Sequence, residues 1–273
     1  MQEVQCRSVL GASGICDYAV NCYTGCVHGC AYCYARFMGR FHHVDQAWGD
    51  FVDVKVNAPE VLAKQIARAG LFPSGSVFLS SVCDAYQPLE EKYALTRKCL
   101  LLLVQAGYSV HVQTKSRLVC RDFDLLAAPN ATLCLTITTL DAGLAARIEP
   151  GASPPADRLE TLRRARAAGI RVKAFVGPLL PGLSDSQEQL SELFAALAPL
   201  GLEEVYIDRL NLRWGVWPAM KNLLGEADPQ SAAATRAMLF DDHRSRAYNR
   251  WLRAAVRKAA AAAGLSASIN VIL

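Results

Sequence analysis

The sequence has no apolar run approaching the roughly 18 residues of a membrane-spanning helix. Its most apolar helical stretch, Cys99 to Ala106, is far too short. An export signal is also missing: Met1 to Leu10 contains Gln2, Glu3, Gln5 and Arg7 and has no apolar core. Strong charge of either sign is absent. The 29 Lys and Arg against 25 Asp and Glu leave a formal net charge of +4, too mild to argue alone for a polyanionic partner. Low-complexity sequence is limited to the alanine run Ala259 to Ala263. These absences argue against a membrane span, a secreted protein and a disordered chain, and the expected location is the cytoplasm.

What is present suits a single well-filled domain. The 273 residues are 52% apolar and 20% charged, and about 250 residues commonly form one α/β barrel. From residue 59 onward helices and strands alternate. The predicted helices are Pro59 to Ala69, Leu89 to Ala106, Arg121 to Ala128, Pro155 to Ala168 and Asp185 to Leu197. The strands that follow them are Ser76 to Ser80, Ser109 to Gln113, Thr132 to Thr138, Arg171 to Gly177 and Glu204 to Asp208. Gly70, Gly107, Gly169 and Gly201 stand where a left-handed helix end favours glycine. The strands are short and apolar, as in a parallel sheet covered on both faces, and recur about every 30 residues, the length of a βα unit. The expected fold class is therefore α/β, a full or partial barrel. Before it, Asp17 to Tyr23 reads as a short strand and a helix is expected from near Ala31. After residue 213 a basic helix, Asp241 to Ala263, and a last strand, Ser266 to Leu273, are expected.

The ten cysteines carry the chemistry. Five of them, Cys16, Cys22, Cys26, Cys30 and Cys33, fall between residues 16 and 33. A disulfide framework belongs to small secreted chains, so metal ligation is the better reading. Cys26-Val27-His28-Gly29-Cys30-Ala31-Tyr32-Cys33 has the spacing C-x3-C-x2-C. Three thiolates on one loop can ligate three irons of a [4Fe–4S] cubane, leaving the fourth iron open. S-adenosylmethionine (SAM) can occupy that iron and be cleaved by one electron, with the protein supplying position and exclusion of water. A structural zinc site, with Cys22 or His28 as fourth ligand, is the competing reading. The aromatic pair Tyr32 and Tyr34 suits stacking on an adenine and favours the first.

Asn21 to Arg36 closely resembles the radical SAM proteins of the spore photoproduct lyase-like family. The resemblance continues through Trp48 to Lys55, Ser81-Val82-Cys83-Asp84-Ala85-Tyr86-Gln87-Pro88-Leu89-Glu90, Gln113 to Ser116, Ile148-Glu149-Pro150-Gly151-Ala152-Ser153-Pro154 and Val176 to Gly182, covering about residues 15–210. It implies a partial (β/α)6 TIM-type barrel over residues 1–213, with the cluster loop at 22–36, and an extension of helix and strand over 214–273 packed on it. It further implies that Cys26, Cys30 and Cys33 hold the cluster, that Tyr32 and Tyr34 contact the adenosyl group, and that Lys115 pairs with the SAM carboxylate. Cys83, Thr136 and Gly177 would line the SAM pocket at strand ends. A flavodoxin- or ferredoxin-type reductant is the implied partner. Cys83 stands where relatives carry threonine or serine, so it is either a pocket wall or a thiol that gives a hydrogen atom to a substrate radical. Cys22, where proline is usual, is read as a neutral exchange.

Several readings stay open. Glu149 orients substrate or caps the helix near Pro154; Asp84 bonds ribose hydroxyls or caps its loop; His42 and His43 are surface residues. The substrate is a nucleic acid such as a DNA photoproduct, favoured by Arg244, Arg246, Arg250, Arg253, Arg257 and Lys258 on the C-terminal helix, or a small molecule or peptide. That basic face is otherwise a solvated surface opposite a core stripe of Tyr248, Leu252 and Val256. A non-catalytic zinc or iron–sulfur module is the reading from another class.

Overall fold

The computed structural model describes residues 1–69, 75–227 and 229–272. Eleven strands lie among them: β1 (Gln2–Val4), β2 (Leu10–Ala12), β3 (Tyr18–Val20), β4 (Tyr23–Thr24), β5 (Asp53–Lys55), β6 (Ser76–Leu79), β7 (Ser109–Thr114), β8 (Ala131–Thr136), β9 (Val172–Leu179), β10 (Glu204–Arg209) and β11 (Ile269–Val271). Eight of them form one sheet in the order β11-β10-β9-β8-β7-β6-β3-β2. Every neighbour pair from β3 to β11 is parallel, and only the edge strand β2 is antiparallel to its neighbour. The strands from β3 to β10 climb in sequence order with helical crossovers, which is the winding of a barrel left open between its first and last strands.

Burial explains the sequence pattern. All six residues of β8 are buried, and Val77, Leu79, Val110, Val112, Val172, Ala174, Val205 and Ile207 have essentially no exposure. Helices cover the outer face of the sheet. Ala58–Ala69 packs on Leu95–Gln105, and Pro155–Ala167 lies over β8 and β9. The C-terminal helix, Asp242–Ala262, packs on Gln187–Leu197 and buries Tyr248, Leu252, Ala255, Val256, Ala259 and Ala260, a stripe at helical spacing. Its chain then returns as β11, parallel to β10, so the expected extension continues the main sheet. No helix among the described residues is long and apolar enough to cross a membrane.

Several boundaries differ from the sequence-based expectation. The helix expected from near Ala31 is instead a turn followed by a 3-10 helix, Tyr34–Met38, and one α-turn, Gly39–His42, because Cys30 to Cys33 is held by contacts outside the loop. The helix expected over Leu89 to Ala106 breaks at Ala94, which has φ of +51°. The cause is buried Glu90, whose carboxylate accepts from the Thr96 and Arg97 N–H groups and so starts a second helix. The Arg121 to Ala128 helix is a 3-10 turn, Arg117–Asp122, and a short helix, Phe123–Leu126. Ala142–Ile148, Val216–Ala227 and Pro229–Phe240 are helices not anticipated. Gly107, Gly169 and Gly201 have the positive φ expected of helix ends; Gly70 lies outside the described residues.

A second small sheet, β1-β5-β4, stands beside the first strand. It fixes the start of the cysteine loop: β4 is antiparallel to β5, and Lys55 donates from its backbone to the Cys22 carbonyl (3.1 Å) and from Nζ to that of Asn21 (2.9 Å).

Candidate cofactor site at the cysteine loop

The loop leaves β4 at Thr24 and turns at Gly25, which has φ of +87° and packs so closely on Phe51 that a Cβ would collide with its carbonyl and ring. Short backbone turns follow: Gly29 N–H to the Cys26 carbonyl (3.3 Å), Cys33 N–H to Cys30 (3.2 Å) and Arg36 N–H to Cys33 (3.3 Å). Three other segments grip this backbone. Ala31 N–H donates to the Ile148 carbonyl (2.8 Å), and Gly151 N–H donates to the His28 carbonyl (3.1 Å). A Cβ on Gly151 would strike Val27 and His28, so that grip needs glycine. From the β6 side, Gln87 Oε1 accepts from the Val27 N–H (3.1 Å), and Asp84 lies 3.4 Å from His28 Nδ1. Arg36 folds back, giving Nε to the Ala31 carbonyl and Nη2 to that of Cys30, both at 3.1 Å. A loop so held has its backbone polar groups satisfied away from its thiols.

The three thiols have different surroundings. Cys26 packs with Ala35, Trp48 and Phe51; Cys30 packs with Tyr32, Leu144, Ile148, Leu180 and Leu210. Cys33 borders both groups. Burial raises all three thiols, Cys30 to about 12, while the Lys115 ammonium draws Cys30 and Cys33 back toward the thiolate. Ligation of iron needs the thiolate, so this cation favours the ligating form. Among the described residues no three His, Cys, Asp or Glu side chains stand in the geometry of a single metal ion. That agrees poorly with a tetrahedral zinc site, and His28 is turned to Asp84 instead. Three cysteines that each take a different iron of a cubane need not converge on one point, and their clustered thiols with a facing cation fit that group.

The strand ends around the loop carry a saturated polar network. Glu149 is 2% exposed and pairs with Arg158, while Tyr32 donates its O–H to the same carboxylate. The Thr138 hydroxyl lies 2.8 Å from Glu149 and 3.0 Å from the Gly177 carbonyl. Arg158 also gives Nη1 to the Thr136 carbonyl (3.1 Å) and Nε to that of Ser153 (2.7 Å). Burial alone would raise Glu149, but Arg158 and Lys115 hold it below its ordinary value. Glu149 therefore neither caps the helix at Pro154, which has no side-chain cap, nor stands free for substrate. On the other side Asp84 accepts from the Thr114 hydroxyl (2.6 Å) and the N–H groups of Tyr86 and Lys115 (both 2.9 Å). Burial opposes its charge, yet His28, Lys115 and Thr114 hold it well below the usual carboxylate range. It caps its own loop.

The remaining predicted residues distribute as follows. Lys115 follows β7, half-buried, with Nζ 5.7 Å from the Tyr32 ring centroid and no hydrogen-bonded or ion-paired partner among the described residues. Tyr34 is 38% exposed and donates its O–H to the Ser81 carbonyl. Thr136 ends β8, its hydroxyl accepting from Gln113 Nε2 (3.1 Å). Gly177 lies within β9 under the Phe175 ring, where a Cβ would stand 2.8 Å from that ring. Cys83 follows the left-handed Ser80 (φ +67°), its Sγ 3.5 Å from the Tyr23 carbonyl; it packs beside Cys26, and burial pushes its thiol up to about 12. Cys22 is buried with Sγ 3.6 Å from that of Cys99. His42 is exposed as expected, but His43 is not a free surface residue: its Nε2 lies 2.9 Å from Asp53 and its ring stacks on Phe51. The sequence reading missed Arg158, Thr138 and Gln87. Arg158 alone had a signal, an arginine in the buried stripe Pro155, Arg158, Leu162 and Ala165 of its helix.

A parallel open barrel whose strand ends surround a three-cysteine loop is matched by known proteins. The sequence fits the profile of the Radical SAM superfamily over residues 20–194. The chain belongs to the radical SAM superfamily. An uncharacterized protein of Methanocaldococcus jannaschii is 34% identical over 176 residues; the match spans 64% of this chain and 65% of that protein's length. An uncharacterized protein of Mycobacterium tuberculosis is 31% identical over 248 residues, covering 86% of this chain and 72% of the relative. A radical SAM Nalpha-GlyT isomerase of Pseudomonas phage M6 is 24% identical over 196 residues, 71% of this chain and 39% of the isomerase. Among solved structures, spore photoproduct lyase complexed with dinucleoside spore photoproduct superposes with a TM-score of 0.69 at 16% identity, covering 98% of this chain and 80% of the other. A variant of that lyase with bound AdoMet and dinucleoside spore photoproduct gives 0.68 at 16% identity, over 99% and 80%. At such identities the likeness shows a shared radical SAM fold.

Proposed function

We propose that Cys26, Cys30 and Cys33 hold a [4Fe–4S] cluster whose open iron takes SAM, and that the enzyme abstracts a hydrogen atom from a nucleic-acid substrate. The observation that carries the reading is the cysteine loop itself, gripped by Ile148 to Gly151, by Gln87 and by Arg36, with the unpartnered Lys115 ammonium facing its thiols. When bound, the cluster and SAM supply one-electron cleavage to a 5′-deoxyadenosyl radical. The chain's own residues position and enclose. Tyr32, locked by Glu149, and Tyr34, tethered to Ser81, present rings for the adenosyl group. Lys115 takes the SAM carboxylate, its ammonium making no direct ion pair or hydrogen bond among the described residues although the Glu149 and Asp84 charges keep it protonated. Thr136 and Gly177 line the pocket from β8 and β9, and Cys83 faces it from the end of β6.

A nucleic acid is favoured as substrate because Arg244, Arg246, Arg250, Arg257 and Lys258 are all exposed on the C-terminal helix. The N-terminal half of that helix is tied to the segment that follows β9, where Tyr248 donates to Asp185 (2.7 Å). The test is anaerobic turnover with SAM and dithionite against ultraviolet-irradiated DNA, with 5′-deoxyadenosine and DNA products followed by mass spectrometry. Cleavage of SAM with unchanged DNA would move the substrate to a small molecule or peptide. Replacing any one of Cys26, Cys30 or Cys33 with alanine should abolish SAM cleavage; a variant retaining full cluster and full cleavage refutes the ligand set. Lys115→Ala should keep its iron but bind SAM at least tenfold more weakly, read by equilibrium titration. Cys83→Ser separates its two roles: unchanged products and deuterium pattern make it pocket wall, and altered products make it a hydrogen-atom donor.

A further inference from the structure

A cavity of about 460 Å³ opens beside the cysteine loop, lined in part by Arg36, Arg40, His43, Trp48, Phe51 and Trp214, and its Arg36 is the residue that bonds the Cys30 and Ala31 carbonyls. None of the SAM-facing residues assigned above contributes to its wall. Two residues of its wall, Trp48 and Phe51, share a buried cluster with Cys26, with Cys33 and Cys83 packed against that cluster. Val44, 74% exposed, and Trp214, 55% exposed, line it, and the Arg40 guanidinium lies 5.3 Å from the Trp214 ring and 6.0 Å from that of the neighbouring Phe41, which is 71% exposed. Exposed large apolar side chains gathered around one cation mark a contact surface rather than scattered surface residues. The wall holds two arginines and a histidine and no carboxylate.

We propose that this cleft is the docking face for the electron donor, a small acidic redox protein of the flavodoxin or ferredoxin type. It rests on the cluster reading above. SAM and substrate would occupy the pocket of Lys115 and Tyr32, which shares no lining residue with the cleft, while Trp48 and Phe51 of the cleft wall belong to the same packed cluster as Cys26 and so offer the electron a separate entry. The donor loses one electron and the cluster gains it; no atom moves. Basic and aromatic rim residues suit an acidic partner that docks over a small area and leaves again, as electron-transfer pairs do.

The experiment uses reconstituted holoenzyme with flavodoxin and ferredoxin as probes, and the variants Arg40→Glu and Trp214→Ala. Binding of each oxidised probe is titrated at low and high salt, and SAM cleavage is driven either by the reduced probe or by dithionite. Arg40→Glu should weaken donor binding about tenfold, flatten its salt dependence and slow donor-driven cleavage in step, while dithionite-driven cleavage stays within about twofold. Trp214→Ala should do the same at unchanged salt dependence. Binding of neither probe to the wild type, unchanged donor binding in both variants, or an equal loss with dithionite overturns the proposal. So does a loss of DNA binding with donor binding intact, which would make the cleft a nucleic-acid platform. Failure of the wild type to cleave SAM with dithionite would instead sink the cluster reading, with the binding titrations still deciding the docking face.

Discussion

Asp84 and Glu149 flank the cysteine loop as two buried carboxylates, one just past β6 and the other beyond β8, and both act on Lys115, just past β7. Both are held in the charged form, by different means. Glu149 leans on a full-time cation, Arg158, with both side chains about 1% exposed. Asp84 leans on hydrogen bonds from Thr114, Tyr86 and the Lys115 backbone, and on His28 at 3.4 Å. The first arrangement is an ion pair whose members cannot be parted without stranding a charge; the second is a cap whose donors are mostly backbone and hydroxyl. Both arms reach the loop: Glu149 through Tyr32 and through its neighbours Ile148 and Gly151, Asp84 through His28. The loop's rigidity thus comes from elements more than 50 residues away in the chain.

The largest expected effect breaks the ion pair. Arg158→Leu should cost about 3–5 kcal/mol in urea unfolding, since Glu149 would be left buried and unpaired. Adding Glu149→Leu should recover part of that loss; a double variant no more stable than the single one would show that the pair matters for packing and not for charge. Next comes the grip of the loop. Gly151→Ala forces Val27 and His28 to move, and overpacking of this kind costs about 1–3 kcal/mol. Iron content after reconstitution should fall with it, and full iron content would show that the loop tolerates displacement.

The smallest effect concerns the cap. Asp84→Asn keeps one acceptor oxygen and should cost about 1 kcal/mol at neutral pH. Because the folded protein holds Asp84 below its unfolded value of about 3.9, its charge stabilises the fold above that pH. That contribution drains away as the pH falls below it. The stability gap between wild type and Asp84→Asn should therefore begin to close at about pH 4 and go on closing as the pH falls further in chemical denaturation. A gap that is constant with pH would assign the loss to shape alone.

Local pattern explains what was legible. The strands from Ser76 to Asp208 were readable within two or three residues because a buried parallel strand must be a short apolar run between helices. The cysteine loop was readable as one segment because its three thiols lie within eight consecutive residues. In the first 55 residues the strand expected over Asp17 to Tyr23 contains β3, but β1, β4 and β5 were not readable, since they are two or three residues long and exist only by pairing with each other. The break at Ala94 was hidden because its cause, Glu90 capping Thr96 and Arg97, runs against a helical pattern that continues through it.

The sequence by itself determined the α/β class, the loop that gathers three thiols, and the apolar stripe of the C-terminal helix, because each is a periodicity or spacing within one segment. Tertiary structure alone decided which carboxylate meets which partner. Glu149 could have capped the next helix, and instead the inward turn of Arg158 claimed it; Asp84 could have faced a ligand, and instead the Lys115 and Tyr86 N–H groups and the Thr114 hydroxyl claimed it. The physical reason is that a buried charge takes whichever partner the packed core brings within reach, and residue spacing alone does not say which partner that is.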